Sequence, residues 1–215
     1  MYKKKSFFIV FEGIEGCGKS FQSKKLLNNL KKKNINTLLT REPGGTKSAE
    51  LIRNLILQDY FEKDNKEKFD KYTDTLLYLA ARNEHIKNKI KPALKKKIIV
   101  ICDRFTDSTL AYQVYGKKIN IKFINNIHKF ILDGIKPDLT FILKVSPDAS
   151  RKRLKKRKSK NRYDNFAQSF YTKAQKSFLK IAKNKKNYFV LNSSENNNYL
   201  EMKIFKIVCK YLKIK

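Results

Sequence analysis

The stretch Phe11-Glu-Gly-Ile-Glu-Gly-Cys-Gly-Lys-Ser20 restricts the possible folds more than any other part of the chain. It begins at the end of an apolar run, Phe7-Phe8-Ile9-Val10-Phe11, and leads into a segment of helical length, Ser20–Lys33. Gly13 to Ser20 fits G-x-x-x-x-G-K-[ST], a pattern that carries meaning only between a strand and a helix. Its glycines leave backbone N–H groups free to line a nest for phosphate oxygens, and the helix start adds its positive dipole end. Gly13, Ile14, Glu15, Gly16, Cys17 and Gly18 would wrap the phosphates of ATP. Lys19 would reach the β- and γ-phosphates, and Ser20 would hold Mg²⁺. Cys17 is read as a small residue that fits the loop. A carboxylate beside phosphates repels them, so Glu15 needs a partner of its own.

The same alternation continues along the chain. Short apolar runs at 7–11, 37–40, 98–102, 139–145 and 188–191 read as strands, and most are continuously apolar. Strands buried on both faces of a parallel sheet have that pattern. Helix-length segments lie between them at Ser20–Lys33, Ala49–Gln58, Thr73–Lys91, Ile121–Leu132, Asn165–Lys183 and Asn198–Leu212, with Pro92 expected to end the third. Alternating strands and helices predict an α/β fold with a parallel sheet. Ligands in such sheets lie at the carboxyl ends of the strands. Polar residues do follow the first three runs: Glu12-Gly13, Arg41-Glu42 and Asp103-Arg104. Asp103 there can orient Mg²⁺-bound water, and Arg104 can fork onto a phosphate. Phe61–Lys71 reads as a charged surface connector.

The charge points elsewhere at first sight. Lys and Arg number 50 against 19 Asp and Glu, a net +31 over 215 residues. Such a field attracts phosphates of any kind. Lys, Asn, Ile, Tyr and Phe are all abundant, however, and share A/T-rich codons. The lysines spread from Lys3 to Lys215, whereas a nucleic-acid footprint clusters. The one dense stretch, Arg151–Arg162 with nine Lys and Arg in twelve residues, read alone suggests an RNA-binding arm. No specific nucleic-acid partner is expected. Cys17, Cys102 and Cys209 have no metal or disulfide spacing, so a reducing compartment is expected. The first apolar run is too short for a signal peptide, and no stretch has membrane-span length. A cytoplasmic protein without membrane contact is the expectation. A phosphate loop alone leaves kinase, GTPase, motor and transporter open. Asn65-Lys66-Glu67-Lys68 fails as a guanine-reading motif, and the chain is short for a motor.

Four stretches in order, FEGIEGCGKS, TREPGGT (40–46), LLYLAARNEH (76–85) and DRFTDSTLAYQ (103–113), resemble the motifs of thymidylate kinases. With PDLTFIL and the basic segment after it, the resemblance spans roughly residues 7–183. It implies a P-loop NTPase three-layer sandwich, with a five-stranded parallel sheet flanked by helices and a mobile basic lid. One kinase domain would cover 1–215, with the lid at about 148–165. The implied reaction is ATP-dependent phosphorylation of dTMP to dTDP for dTTP synthesis, with Mg²⁺, in a homodimer. The alternatives are another P-loop nucleoside or nucleotide kinase, or a nucleic-acid-binding P-loop ATPase.

The resemblance also assigns residues. Arg104 and Arg53 would hold the dTMP phosphate, with Glu42 and Pro43 in a turn lining the same pocket. Tyr78 and Arg82, an i, i+4 pair, would stack on thymine and donate to its carbonyl. Thr109 and Gln113 would stand at the base edge. Tyr112 would pack on the 2′ carbon, and Glu15 would accept from the 3′-hydroxyl. Arg151–Arg162 would be the lid, in which Arg153, Arg157 and Arg162 match the family's arginines. Some relatives place a basic residue directly after the acidic one in the loop. Gly16 stands there in this chain, so the lid must supply that charge. Three departures occur: Asn161-Arg162-Tyr163-Asp164 for Asp-Arg-x-Glu, Lys144 for Asp, and Val114 for Gly. Tyr78 replaces a usual Phe, so its hydroxyl requires a partner. His85 and His128 are read as structural.

Overall fold

The computed structural model describes residues 6–57, 69–156, 168–194 and 197–214. Strand β1 (Phe7–Glu12) is buried at every position, which its unbroken apolar sequence requires. It pairs in parallel with β3 (Ile99–Asp103) on one side and β4 (Leu139–Lys144) on the other. β2 (Thr37–Arg41) and β5 (Tyr188–Asn192) complete a five-stranded sheet in the order β2-β3-β1-β4-β5. The strands match the expected runs to within a residue or two.

Alternate side chains of β1 enter different clusters. Phe7, Ile9 and Phe11 pack with Leu26 and Leu30 of α1 (Lys19–Lys32) and with Leu200, Ile204 and Val208 of α9 (Asn197–Leu212). Phe8 and Val10 pack with Ile86, Ile90, Ala93 and Phe105. Helices therefore cover the sheet on both faces, giving three layers. The chain leaves β1 toward β2 and leaves β3 toward β4, on opposite sides. The carboxyl ends of β1 and β3 thus border the crevice where such folds bind ligands.

The helices follow the expected spans with three differences, at Pro92, after β3 and in the basic segment. α2 (Lys47–Leu57) is followed by α3 (Lys71–His85), whose N-terminus is capped by Asp70 through Tyr72 and Thr73 N–H. The helix does not stop at Pro92. It passes through a π-helical turn, Ile86–Ile90, into α4 (Lys91–Lys95). Lys91 N–H bonds to Ile86 O, one residue farther back than in an α-helix. The widened turn accommodates the proline ring that an α-turn would reject. After β3 the chain forms α5 (Thr106–Thr109) and a second π-helical stretch, Leu110–Gly116, which periodicity does not reveal. α6 (Ile121–Ile131) follows the expected span, with Asn120 as its cap. The basic segment begins as a helix, α7 (Pro147–Lys155), capped by the Ser146 hydroxyl. α8 (Gln168–Ala182) lies inside the expected 165–183. Positions 61–68 of the expected connector Phe61–Lys71 and lid positions 157–165 lie outside the described residues, and the connector's last residues, Asp70 and Lys71, are already the cap and first residue of α3.

Candidate active site

The phosphate loop closes around its own glycines. Gly13 has φ 138°, and a Cβ there would lie 2.5 Å from Leu143 O. Gly16 has φ 69°, and a Cβ there would meet Ser150 O at 2.8 Å. α7 docks on that point, where the Ser150 hydroxyl donates to Glu15 O at 2.7 Å. A basic side chain at position 16 is thereby excluded. Lys19 Nζ lies in the nest and donates to Gly13 O at 3.0 Å and Ile14 O at 2.8 Å. Cys17 is fully buried, and burial pushes its thiol pKa up, so it has no reactive character.

Ser20 Oγ donates to Asp103 Oδ2 at 2.5 Å, which brings together the two expected metal residues from the start of α1 and the end of β3. A hydroxyl and a carboxylate are the oxygen donors a hard dication takes. Among the described residues there is no cluster of three or more His, Cys, Asp or Glu able to hold a metal. A cation here would complete its shell with phosphates and water, the usual habit of Mg²⁺.

Glu15 has its partners. Oε1 accepts from Arg104 at 2.7 Å and Oε2 from the Tyr112 hydroxyl at 2.6 Å. Burial would raise this carboxyl, but Arg104 above all, then Lys19 and Tyr112, hold it below its usual range. Glu15 therefore stays ionised. Arg104 adopts φ 73°, a left-handed conformation unusual for a non-glycine residue and often found at functional sites. Its side chain donates to Gly13 O and Ser108 Oγ and lies 5.3 Å over the Tyr112 ring.

The turn behind Arg104 is anchored from β1. Phe105 offers no side-chain cap to α5. Glu12 takes that role, accepting from Phe105 N–H at 2.8 Å, Ser108 N–H at 3.1 Å and Ser108 Oγ at 2.6 Å. Burial, and then the nearby Asp107, push the Glu12 pKa up to about 8. The sequence marks Glu12 as a polar residue at the end of an apolar strand, but not its role as the anchor of the Phe105–Ser108 turn.

A cleft of about 690 Å³ opens over these groups, lined by Glu15, Gly16, Gly18, Lys19, Ser20, Glu42, Pro43, Arg53, Tyr78, Arg82, Asp103, Arg104, Thr109, Tyr112, Gln113 and Arg153, among others. All the expected acceptor-site residues stand along it. The volume suits small ligands. Arg53 donates to Pro43 O at 2.7 Å. Burial, then the charges of Arg41 and Arg104, lower its pKa, while Glu50 and Tyr78 act the other way. Arg41 also lines the cleft and is held by both oxygens of Glu50. Three guanidinium groups near one another make this end of the cleft receptive to an anion.

Arg82 lies deeper, only 3% exposed. It donates to Glu42 Oε2 at 2.7 Å, Thr109 Oγ1 at 2.6 Å and Phe105 O at 2.9 Å. Glu42 also meets His85 Nδ1 at 3.1 Å, and His85 Nε2 meets Thr40 Oγ1 at 2.7 Å. Burial would raise the Glu42 carboxyl, yet Arg82 and then His85 keep it low. At the other end, Arg153 bridges Gly16 O and Ser193 O, tying α7 to the loop and to the end of β5. Arg157 and Arg162 lie outside the described residues. Lys144, in place of the usual Asp, points to solvent.

The comparisons agree with this geometry. The thymidylate kinase family model matches residues 11–204. A thymidylate kinase of Mycoplasma capricolum is 39% identical over 96% of this chain and 96% of its own length. One from Sulfurihydrogenibium is 40% identical over 96% of this chain and 97% of its own. The crystal structure of a thymidylate kinase from Ehrlichia chaffeensis superposes with a TM-score of 0.75 at 34% identity, covering 95% of this chain and 99% of that one. With its phosphate loop, its Asp103-Arg104 turn and its lined cleft in family order, the chain belongs to the thymidylate kinase family.

Proposed function

We infer that this kinase transfers the γ-phosphoryl group of ATP to dTMP, yielding dTDP for dTTP synthesis. The observation that carries the reading is one cleft with a phosphate nest at one end and paired Arg53 and Arg104 beside an aromatic–arginine base pocket at the other. The nest and Lys19 hold the donor phosphates. Ser20 and Asp103 would hold Mg²⁺, which would supply charge neutralisation for the transferred phosphoryl group. Arg104 and Arg53 hold the acceptor phosphate, whose oxygen is already nucleophilic and needs no general base.

Glu15, ionised and fixed by Arg104 and Tyr112, accepts from the 3′-hydroxyl. Tyr112 fills the space beside the 2′ carbon. Tyr78 stacks on the base, while Arg82, Thr109 and Gln113 address its edge, with Glu42 and Pro43 shaping that wall. Arg153, Arg157 and Arg162 add positive charge at the donor side, in a lid segment of about 148–165 belonging to one kinase domain. Transition-state charge is stabilised by such preorganised donors.

Two chains pair through α2, α3 and α6. These helices expose Leu51, Leu55, Leu76, Ile121 and Phe130, the last at 81%. Apolar exposure on adjacent helices is typical of contact faces. The protein works in the cytoplasm. All three cysteines are free, and no helix among the described residues is long and apolar enough to cross a membrane. No specific nucleic-acid partner is invoked. Turnover measured with dTMP, dCMP, UMP and thymidine tests the acceptor. A clear preference for dTMP is expected, and a preference for any other acceptor overturns the assignment.

A further inference from the structure

His128 belongs to none of the recognised motifs and does not line the cleft. It is carried by α6 and is 8% exposed. Its Nε2 lies 2.9 Å from the Arg82 NH1 nitrogen. A guanidinium has no acceptor, so the imidazole nitrogen must accept, and the ring is neutral with its proton on Nδ1. Burial and the charge of Arg82 both oppose a second positive charge there, and the His128 pKa falls to about 3. The ring therefore remains an acceptor throughout the physiological pH range.

Arg82 carries five N–H bonds. Nε donates to Glu42, NH1 to Thr109 and His128, and NH2 to Phe105 O. One N–H remains, on NH2, and Arg82 lines the cleft. We propose that His128 is a positioning residue for acceptor specificity, fixing the Arg82 guanidinium so that a single N–H is left for a base carbonyl. This rests on the reading of Arg82 as a base contact. A lone fixed donor accepts a pyrimidine with a carbonyl at that edge. It rejects one with an amino group, because two donors then face each other unpaired. Loss of His128 frees a second donor and releases the plane.

Two measurements test this. In steady-state kinetics, His128→Leu should raise KM for dTMP on the order of tenfold and narrow the preference for dTMP over dCMP, with KM for ATP unchanged. His128→Gln, which keeps an acceptor, should recover most of the loss. Equal changes in both KM values without rescue, or no change in a folded variant, overturn the proposal. The second measurement needs no variant. The chain has only two histidines, so imidazole ¹⁵N signals of the intact enzyme are assignable, with His85 as reference. The His128 Nε2 signal should be that of an unprotonated acceptor and should shift on adding dTMP but not ATP. A protonated ring, or a signal indifferent to dTMP, contradicts the proposal. A wild-type enzyme without preference for dTMP over dCMP would instead remove the base-contact reading itself, and the proposal with it.

Discussion

Tyr78 lines the cleft alongside Arg53. Stacking of a base on an aromatic side chain is worth about 1–3 kcal/mol. Tyr78→Ala should therefore weaken dTMP binding about tenfold or more while ATP binding is spared. Calorimetric titration of each nucleotide decides this, and equal loss of both would remove the stacking role. Tyr78 and Arg82 also show what residue spacing conveys. Their i, i+4 separation placed both on the cleft side of α3, as expected. It could not show that Arg82 is buried and largely committed to Glu42, Thr109, Phe105 and His128. Those partners come from three separate parts of the chain, Glu42, the Phe105–Thr109 turn and His128, and only the fold brings them together. The same holds for both histidines, read as structural and each found in that buried network.

At the scale of elements, the link between β1 and α5 has a pH signature. The Glu12 carboxyl, ordinarily near 4.5, is raised to about 8 by burial and then by Asp107. Between those values the folded protein keeps a proton that the unfolded chain releases. Stability is greatest below the lower value and falls as pH rises through the upper one. Glu12→Gln mimics the protonated carboxyl, so its melting temperature should fall much less than that of the wild type across the same window. Parallel curves for the two proteins would show that Glu12 ionises freely. The central strands β1, β3 and β4 were legible because burial on both faces leaves an unbroken apolar run. The π-helical stretches at 86–90 and 110–116 were not, because their period matches neither template used to read a sequence. α7 was hidden by its charge, since its contact with the loop is made by Ser150 and Leu154 rather than by an apolar stripe.

For the whole molecule, the apolar faces of α2, α3 and α6 predict self-association. Sedimentation should give twice the 25.4 kDa chain mass, and Phe130→Glu with Leu51→Glu should shift the protein toward the monomer. A wild-type monomer at micromolar concentration would contradict that pairing. The +31 charge is the other property of the whole molecule, and it pulled the sequence reading toward polyanions. Composition could not rank that pull against the phosphate loop. The cleft does, because its arginines are individually positioned by Glu15, Glu50 and Pro43 O, while most lysines among the described residues, Lys19 excepted, stand at exposed positions. The most direct test is to incubate the purified protein with ATP, Mg²⁺ and dTMP beside a control without acceptor, and to follow both dTDP and ADP. Prompt dTDP with little ADP in the control is the predicted result. ATP hydrolysis without dTDP, accelerated by added RNA or DNA, would contradict the account.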